Sequence, residues 1–329
     1  MTGRIVRRLS LAAAVVVLVS IAVFALLHLV PGGPAGIASG NPKTTGGDVA
    51  RIREQFGVDR PLPVQYLLWF RQVFLRFDFG TSYVTGRPVG RMIAERLPAT
   101  LELMGSALLL ALAAGGALGT LAAVRRGTAV DQVFTLATSA GLSIPVFWLG
   151  LAAIWLFSIR LGVLPAGGRE PIAAGAGWAG RIAHLILPAA VLAVAWCASW
   201  SRYLRAGLVE ILDGDFIRTA RAKGLAERSV VLKHAMRGAV LPAATVLVMQ
   251  LPALFTGAVI TETVFAWPGM GRLFYEGLQR GDSSRVLGII VISSLLIVLM
   301  NALGDVVCMA LDPRARPAPR ERRSHGGAR

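Results

Sequence analysis

Apolar residues run in unbroken blocks along this chain, at 9–30, 98–124, 130–159, 182–200, 239–260 and 286–310. Each block is close to the roughly 20 residues an α-helix needs to cross about 30 Å of hydrocarbon. The pattern predicts an all-α integral membrane protein with six transmembrane helices. The first block has a basic start, as a signal peptide would, but it outruns an h-region of about 7–15 residues and is read as a retained helix. After it, Pro31, Gly32, Gly33 and Pro34 cannot continue a helix. Pro61 then opens a shorter helix over 62–76. There Val64, Leu67, Leu68, Phe74 and Leu75 recur at near-helical spacing beside Arg71 and Arg76, with Trp69 and Phe70 at interface depth. This helix is expected on the outer membrane face, either as a strut over the bundle's mouth or as part of a solute surface. In the 160–181 connection only Trp178 reads as an interface anchor. Pro145 and Pro252 are expected to kink spans 3 and 5 near a solute pathway. No repeat of 20–50 residues is visible, which leaves an inverted-repeat transporter unsupported.

Composition sharpens this picture. The chain is 55% apolar and 16% charged, with a mean hydropathy of +0.63, which rules out an ordinary water-soluble enzyme. Its 34 Lys and Arg outnumber 18 Asp and Glu, but the excess lies between spans and not on one soluble basic face, so no nucleic-acid partner is expected. If the N-terminus is cytoplasmic, 19 of the 34 basic residues fall in the inner segments 1–8, 125–130, 202–238 and 311–329. They are roughly twice as dense there as outside, which favours cytoplasmic N and C termini. Arg4, Arg7 and Arg8 before span 1, and Arg125 and Arg126 after span 2, are the cleanest short-loop signals.

The residues of common active sites are not arranged to work. Cys197 and Cys308 both lie in apolar blocks, so neither a disulfide framework nor a cysteine zinc site is expected. A phosphate-binding loop needs Gly before its Lys; Lys43, the nearest candidate, follows Pro42. His28, His184, His234 and His325 have no partner at helical spacing, and no G-x-S-x-G elbow is present. No catalytic residue, metal site or cofactor is expected. Glu102, Glu262 and Asp305 fall near span ends and read first as snorkelling charges. The scarcity of ionisable groups near the midplane argues that transport energy comes from another subunit.

The most informative stretch is the cationic loop 202–242. Asp213 or Asp215 can cap a helix over about 216–223, and Gly224 is placed to end it in the left-handed conformation. Phe216, Ile217 and Ala220 would share one side, with Arg218, Arg221 and Lys223 around the rest. Spacing alone suits insertion into a groove on a cytoplasmic partner and a basic helix on lipid headgroups about equally.

These residues resemble a known family. R-T-A-R-A-K-G-L at 218–225, followed by His234, Arg237 and Pro242, is similar to the EAA loop of inner-membrane permeases of ABC importers, in its peptide/nickel-class form. The resemblance extends through H-L-V-P-G-G-P at 28–34, D-R-P-L-P-V-Q-Y at 59–66, F-G-T-S-Y at 79–83, E-R-L-P-A-T-L-E-L at 95–103, E-T-V-F-A-W-P-G-M-G-R-L at 262–273 and L-D-P-R at 311–314. The early first span and long outer segment are those of the B-type subunit of dipeptide/oligopeptide/nickel importers. Three departures stand out: Arg218-Thr219 stands where the general EAA motif has Glu-Ala, so that only Ala220 and Gly224 keep its core pattern, Ala226 replaces a capping Ser or Thr, and Asp282-Ser283-Ser284 replaces Asp-Tyr-Pro.

The resemblance implies a non-catalytic permease in the bacterial inner membrane, forming half of a translocation pathway. It implies a second, C-type permease as heterodimer partner, two ATP-binding cassette subunits, and an extracytoplasmic solute-binding protein that delivers peptides or related solutes. The implied ATPase-coupling residues are Asp215, Phe216, Ile217, Arg218, Thr219, Ala220, Arg221, Lys223, Gly224, Leu225, His234, Arg237 and Pro242. Residues 1–97 would hold the first membrane helix and a long extracytoplasmic segment. Residues 98–311 would form the permease core with its EAA loop at 213–242, and 312–329 a disordered basic tail. A stand-alone secondary transporter is the alternative.

Overall fold

All six apolar blocks fold as helix in the structure, a computed structural model that describes residues 2–29, 46–47, 60–82, 84–171 and 177–311. The expected break at 31–34, Lys43, His325 and the basic tail lie outside the described residues, as do the side chains of Asp305 and Cys308. In chain order the helices are α1 (Thr2–Leu29), α2 (Leu62–Arg76), α3 (Val89–Val124), α4 (Ala129–Ser143), α5 (Val146–Ala153, continued by a π-helical segment, Ile154–Arg160), α6 (Gly177–Leu212), α7 (Asp215–Ala222), α8 (Glu227–Ser229, followed by π-helical Val230–Ala235), α9 (Met236–Val264), α10 (Met270–Gln279) and α11 (Ser283–Leu311). Among the described residues the β-structure is one isolated bridge, Thr81 with Pro88.

Val89–Val124, Gly177–Leu212 and Ser283–Gly304 are each long and apolar enough to cross a membrane. The third apolar block differs from expectation, because α4 and the helix from Val146 to Arg160 meet at a bend of 105°. The cause is local. Pro145 has no N–H to donate and forces Ile144 into extended backbone (φ −76°, ψ 125°), so the chain starts a new helix there instead of kinking an old one. Pro252 stays inside α9, as Pro98 and Pro188 stay inside α3 and α6.

The core is a contact between α3 and α6. Gly115 and Gly119 form a small-xxx-small pair; a β-carbon at Gly119 would lie 2.6 Å from the Ser201 carbonyl oxygen, and one at Gly115 equally close to the Trp200 ring. Only glycine lets the two backbones approach this closely, which is how helices gain packing energy where lipid offers no hydrophobic drive. Ala99, Leu103, Ala107 and Ala111 of α3 continue the seam against Ala189, Leu192 and Trp196 of α6.

The surface helix forms as expected, but its faces are exchanged. Trp69 and Val73 are buried against Val23 and Phe24 of α1 and Leu287 and Val291 of α11, while Leu67 and Leu75 are 63% and 70% exposed. Gln65 joins the buried side because its polar atoms are matched: its amide donates to the Arg60 carbonyl (2.7 Å), and its oxygen lies 3.1 Å from His28 Nε2. A satisfied polar group costs little to bury, so the inward row runs 65, 69, 73 and the aliphatic row faces outward.

Candidate functional site

The EAA-like loop begins later than the hydropathy suggests, because α6 continues as helix past the end of the apolar block to Leu212. Gly214 then takes extended backbone at the N-cap of α7, and no side chain caps it. Both aspartates expected as caps are used otherwise. Asp213 accepts from Arg126 at 2.9 Å and ties the loop to the α3–α4 turn, while Asp215 is the first helical residue, weakly paired with Arg218 at 3.3 Å. The far end follows expectation. Gly224 has φ +76°; its N–H reaches the Arg221 carbonyl (2.9 Å) and the Leu225 N–H reaches that of Ala220 (3.4 Å), the paired bonds of a Schellman stop. Ala226 stands at the N-cap of α8 with no side-chain bond, as its missing hydroxyl dictates.

The expected shared side of Phe216, Ile217 and Ala220 is divided. Ile217 (0% exposed) and Ala220 (7%) point into the chain's own core, packed with Ala123 of α3, Trp200, Leu204 and Leu208 of α6, Val230 and Ala235, and Ala239 and Ala243 of α9. Phe216 (55%) and Leu225 (41%) face outward. Arg218, Thr219, Lys223, His234, Arg237 and Pro242 are exposed as well. Arg221 closes the hairpin from α7 to α8 by gripping Glu227 at 2.7 and 3.2 Å. The hydrogen bond from Arg221 holds the Glu227 carboxyl below its ordinary range, and the same contact raises the Arg221 guanidinium. The loop is therefore two-sided: its inner face is fused to the ends of three long helices, and its outer face carries an exposed aromatic among cations.

About 39 Å away along α9, by its 1.5 Å rise per residue, lies a site that sequence reasoning misread. Glu262 does not snorkel; it is fully buried. Its carboxylate accepts from the Thr100 hydroxyl (2.6 Å) and the Arg272 N–H (3.0 Å). Thr100 in turn accepts the Met270 N–H at 2.8 Å, and the Trp267 indole donates to the Ala99 carbonyl at 2.8 Å. The unpaired amides opening α10 are thus met by one carboxylate and one hydroxyl, which suits the positive end of a helix dipole. Gly269 makes this approach possible, since a β-carbon there would collide with the Glu262 carboxylate. The signal was present in the sequence as a Glu followed by Gly-x-Gly at the start of a helix. Nearby, Glu102 takes bonds from both Arg169 (2.9 Å) and Arg181 (3.1 and 2.9 Å), joining α3 to the 160–181 connection. The departure at 282–284 is packed as well: Asp282 is buried, takes the Ser82 hydroxyl and pairs with buried Arg285 at 3.2 Å.

Comparison with known proteins fits this arrangement. Residues 115–317 match the binding-protein-dependent transport system inner membrane component, and residues 1–104 match the N-terminal part of such membrane components. The oligopeptide transport system permease protein AppB of Bacillus subtilis is 38% identical over 95% of this chain and 99% of its own length. The probable D,D-dipeptide transport system permease protein DdpB of Escherichia coli is 40% identical over 90% and 92%. The glutathione transport system permease protein GsiC of Salmonella choleraesuis is 37% identical over 91% and 94%. The fold is that of a chain in the inward-facing MetNI methionine ABC transporter, with a TM-score of 0.52 at 19% identity over 68% of this chain and 97% of that one. The family match and these permease relatives set aside the stand-alone secondary transporter. The chain belongs to the binding-protein-dependent transport system inner membrane component family: it is a multi-pass inner-membrane permease subunit of an ATP-driven ABC importer, and hydrolyses no ATP itself.

Proposed function

We propose that the chain crosses the membrane six times with both termini in the cytoplasm, pairs with a C-type permease as a heterodimer, and is driven by two ATP-binding cassette subunits seated on residues 213–238. The solute, delivered by an extracytoplasmic binding protein, is a peptide or a similar compound; the oligopeptide, dipeptide and glutathione permeases among its relatives support that class. Residues 98–311 then form the permease core, which carries the coupling loop.

The observation that carries this reading is the two-sidedness of α7. A partner gripping exposed Phe216 and Leu225 acts on a helix whose other side, Ile217 and Ala220, is embedded among α3, α6 and α9. Displacement of the ATPases moves those helix ends as one body, because a packed core shifts between arrangements and does not deform smoothly. Phe216→Asp should release the ATPase subunits during co-purification while the chain remains inserted. Arg218→Gln should weaken association only slightly, since an exposed ion pair contributes about 0–1 kcal/mol. If Phe216→Asp holds the ATPases like the parent while Arg218→Gln or added salt releases them, the contact is electrostatic and the shape-based docking is wrong.

A further inference from the structure

Between α3, α4 and α6 lies a groove of about 670 Å³, several times the ~150 Å³ that admits a benzene-sized molecule. Leu110, Leu118, Val133, Ala137, Val194 and Cys197 are among its lining residues. The one hydroxyl among the described lining residues, Thr138, already donates to the Phe134 carbonyl at 2.9 Å, so beyond the weakly polar Cys197 thiol the groove offers a solute no free side-chain donor. It runs along α3 from Leu110 to Ala122, about 18 Å at 1.5 Å per residue. That is close to the depth of one leaflet, half of the roughly 30 Å hydrocarbon core.

One end of the groove is basic. Beyond Ala122, Ala129 and Ala198 stand Arg125, Arg126, Arg202 and Arg205. Two of them are neutralised: Arg205 by Asp131 at 2.6 and 2.7 Å, and Arg126 by Asp213 at 2.9 Å. Arg125 and Arg202 are exposed and make no ion pair among the described residues. Helical spacing puts both over the groove. The i, i+4 series Ala190, Val194, Ala198 continues to Arg202, and the series Leu118, Leu121 continues to Arg125. A neighbouring helix is a poorer occupant. An apolar helix seated there would leave the Arg125 and Arg202 cations uncompensated.

We propose that the groove holds one acyl chain of an anionic phospholipid whose phosphate is bound by Arg125 and Arg202. The inference rests on the orientation proposed above, which places this mouth in the cytoplasmic leaflet, where basic residues near the surface attract anionic lipid. The test is native mass spectrometry of the assembled transporter titrated with phosphatidylglycerol or phosphatidylcholine. The parent should retain one phosphatidylglycerol per copy of this chain at concentrations where phosphatidylcholine is lost. Arg125→Gln with Arg202→Gln should raise the concentration needed by about ten- to thirtyfold, and Ala137→Trp, which fills the groove, should abolish retention with every subunit still present. Equal retention of both lipids, or retention untouched by the double glutamine variant, overturns the proposal. So does loss of the second permease from Ala137→Trp while the glutamine variant behaves as the parent, since the groove is then a contact between subunits. A cysteine at residue 222 reads orientation separately: labelling from the cytoplasmic side with no selective lipid retention overturns the groove alone.

Discussion

At position 220 a single methyl group decides what the inner face of α7 can tolerate. The sequence shows that α7 has apolar and charged residues interleaved, but one helix viewed alone does not say which apolar side meets its own chain and which meets a partner. Ala220 packs with Trp200, Leu204 and Ala235, so Ala220→Trp should overfill this chain's own core at a cost of about 1–3 kcal/mol or more. Its melting temperature in detergent should fall before any partner is added, whereas Phe216→Asp should leave it unchanged; a parent-like melt for Ala220→Trp would contradict the inward packing. The Arg221–Glu227 pair carries a pH signature. Because Glu227's carboxyl is held below its ordinary value near 4.5, the pair's contribution is present in full above that pH and is lost as pH falls through the lowered value. Both side chains are about half exposed, so the contribution is small. The protection of the Gly224 and Leu225 amides against hydrogen exchange, taken relative to the intrinsic exchange rate at each pH, should fall only on acidification below the ordinary glutamate range, and Glu227→Gln should remove that pH dependence.

Between elements, the tightest joint is polar. Glu262 and Thr100 together satisfy the amides that open α10, and each buried donor left without a partner costs about 1–3 kcal/mol. Glu262→Ala orphans two groups at least and should lower the melting temperature more than any surface change on α7. Gly269→Ala should do the same from the opposite direction, by forcing the carboxylate away. If both variants melt like the parent, the joint contributes nothing to stability and α10 is held by Trp267, Met270 and Leu273 alone, all of which are buried. Hydropathy found the helices but not this joint, because it scores Glu262 as a charge near a span end and cannot see the α3 hydroxyl 162 residues away that receives it. The same limit explains α2, where both long faces are apolar and the buried row was chosen by Gln65, a polar residue whose partners are a distant histidine and a backbone carbonyl. Pro145 was legible as a disruption, whereas the size of its bend was not, since a proline fixes only its own φ and biases the residue before it.

For the whole molecule, composition and block length alone were enough to place the chain in a membrane, because crossing hydrocarbon demands long uninterrupted apolar helices and permits few alternatives. Which way it faces is set by a weaker force, the retention of short basic loops on the cytoplasmic side. Arg125 and Arg126 follow α3 directly, Arg202 and Arg205 end the apolar part of α6, and α7 lies at that same end, packed against Ala123 and Leu204. Three segments of the chain thus vote together through one packed cluster, and the long segment between α1 and α3, whose charges count for little, does not need to be weighed. With Cys197 and Cys308 replaced by alanine, a membrane-impermeant maleimide applied to sealed cells should label Thr45→Cys and Gly175→Cys at once. Ala222→Cys and Arg320→Cys should react only after the membrane is opened. Because Ala222 is exposed on α7, a failure to react from either side would mean that a partner covers it, and that protection should disappear with Phe216→Asp. Labelling of residue 222 in intact cells would invert the molecule, removing the ATPase surface and the lipid mouth from the cytoplasmic leaflet together.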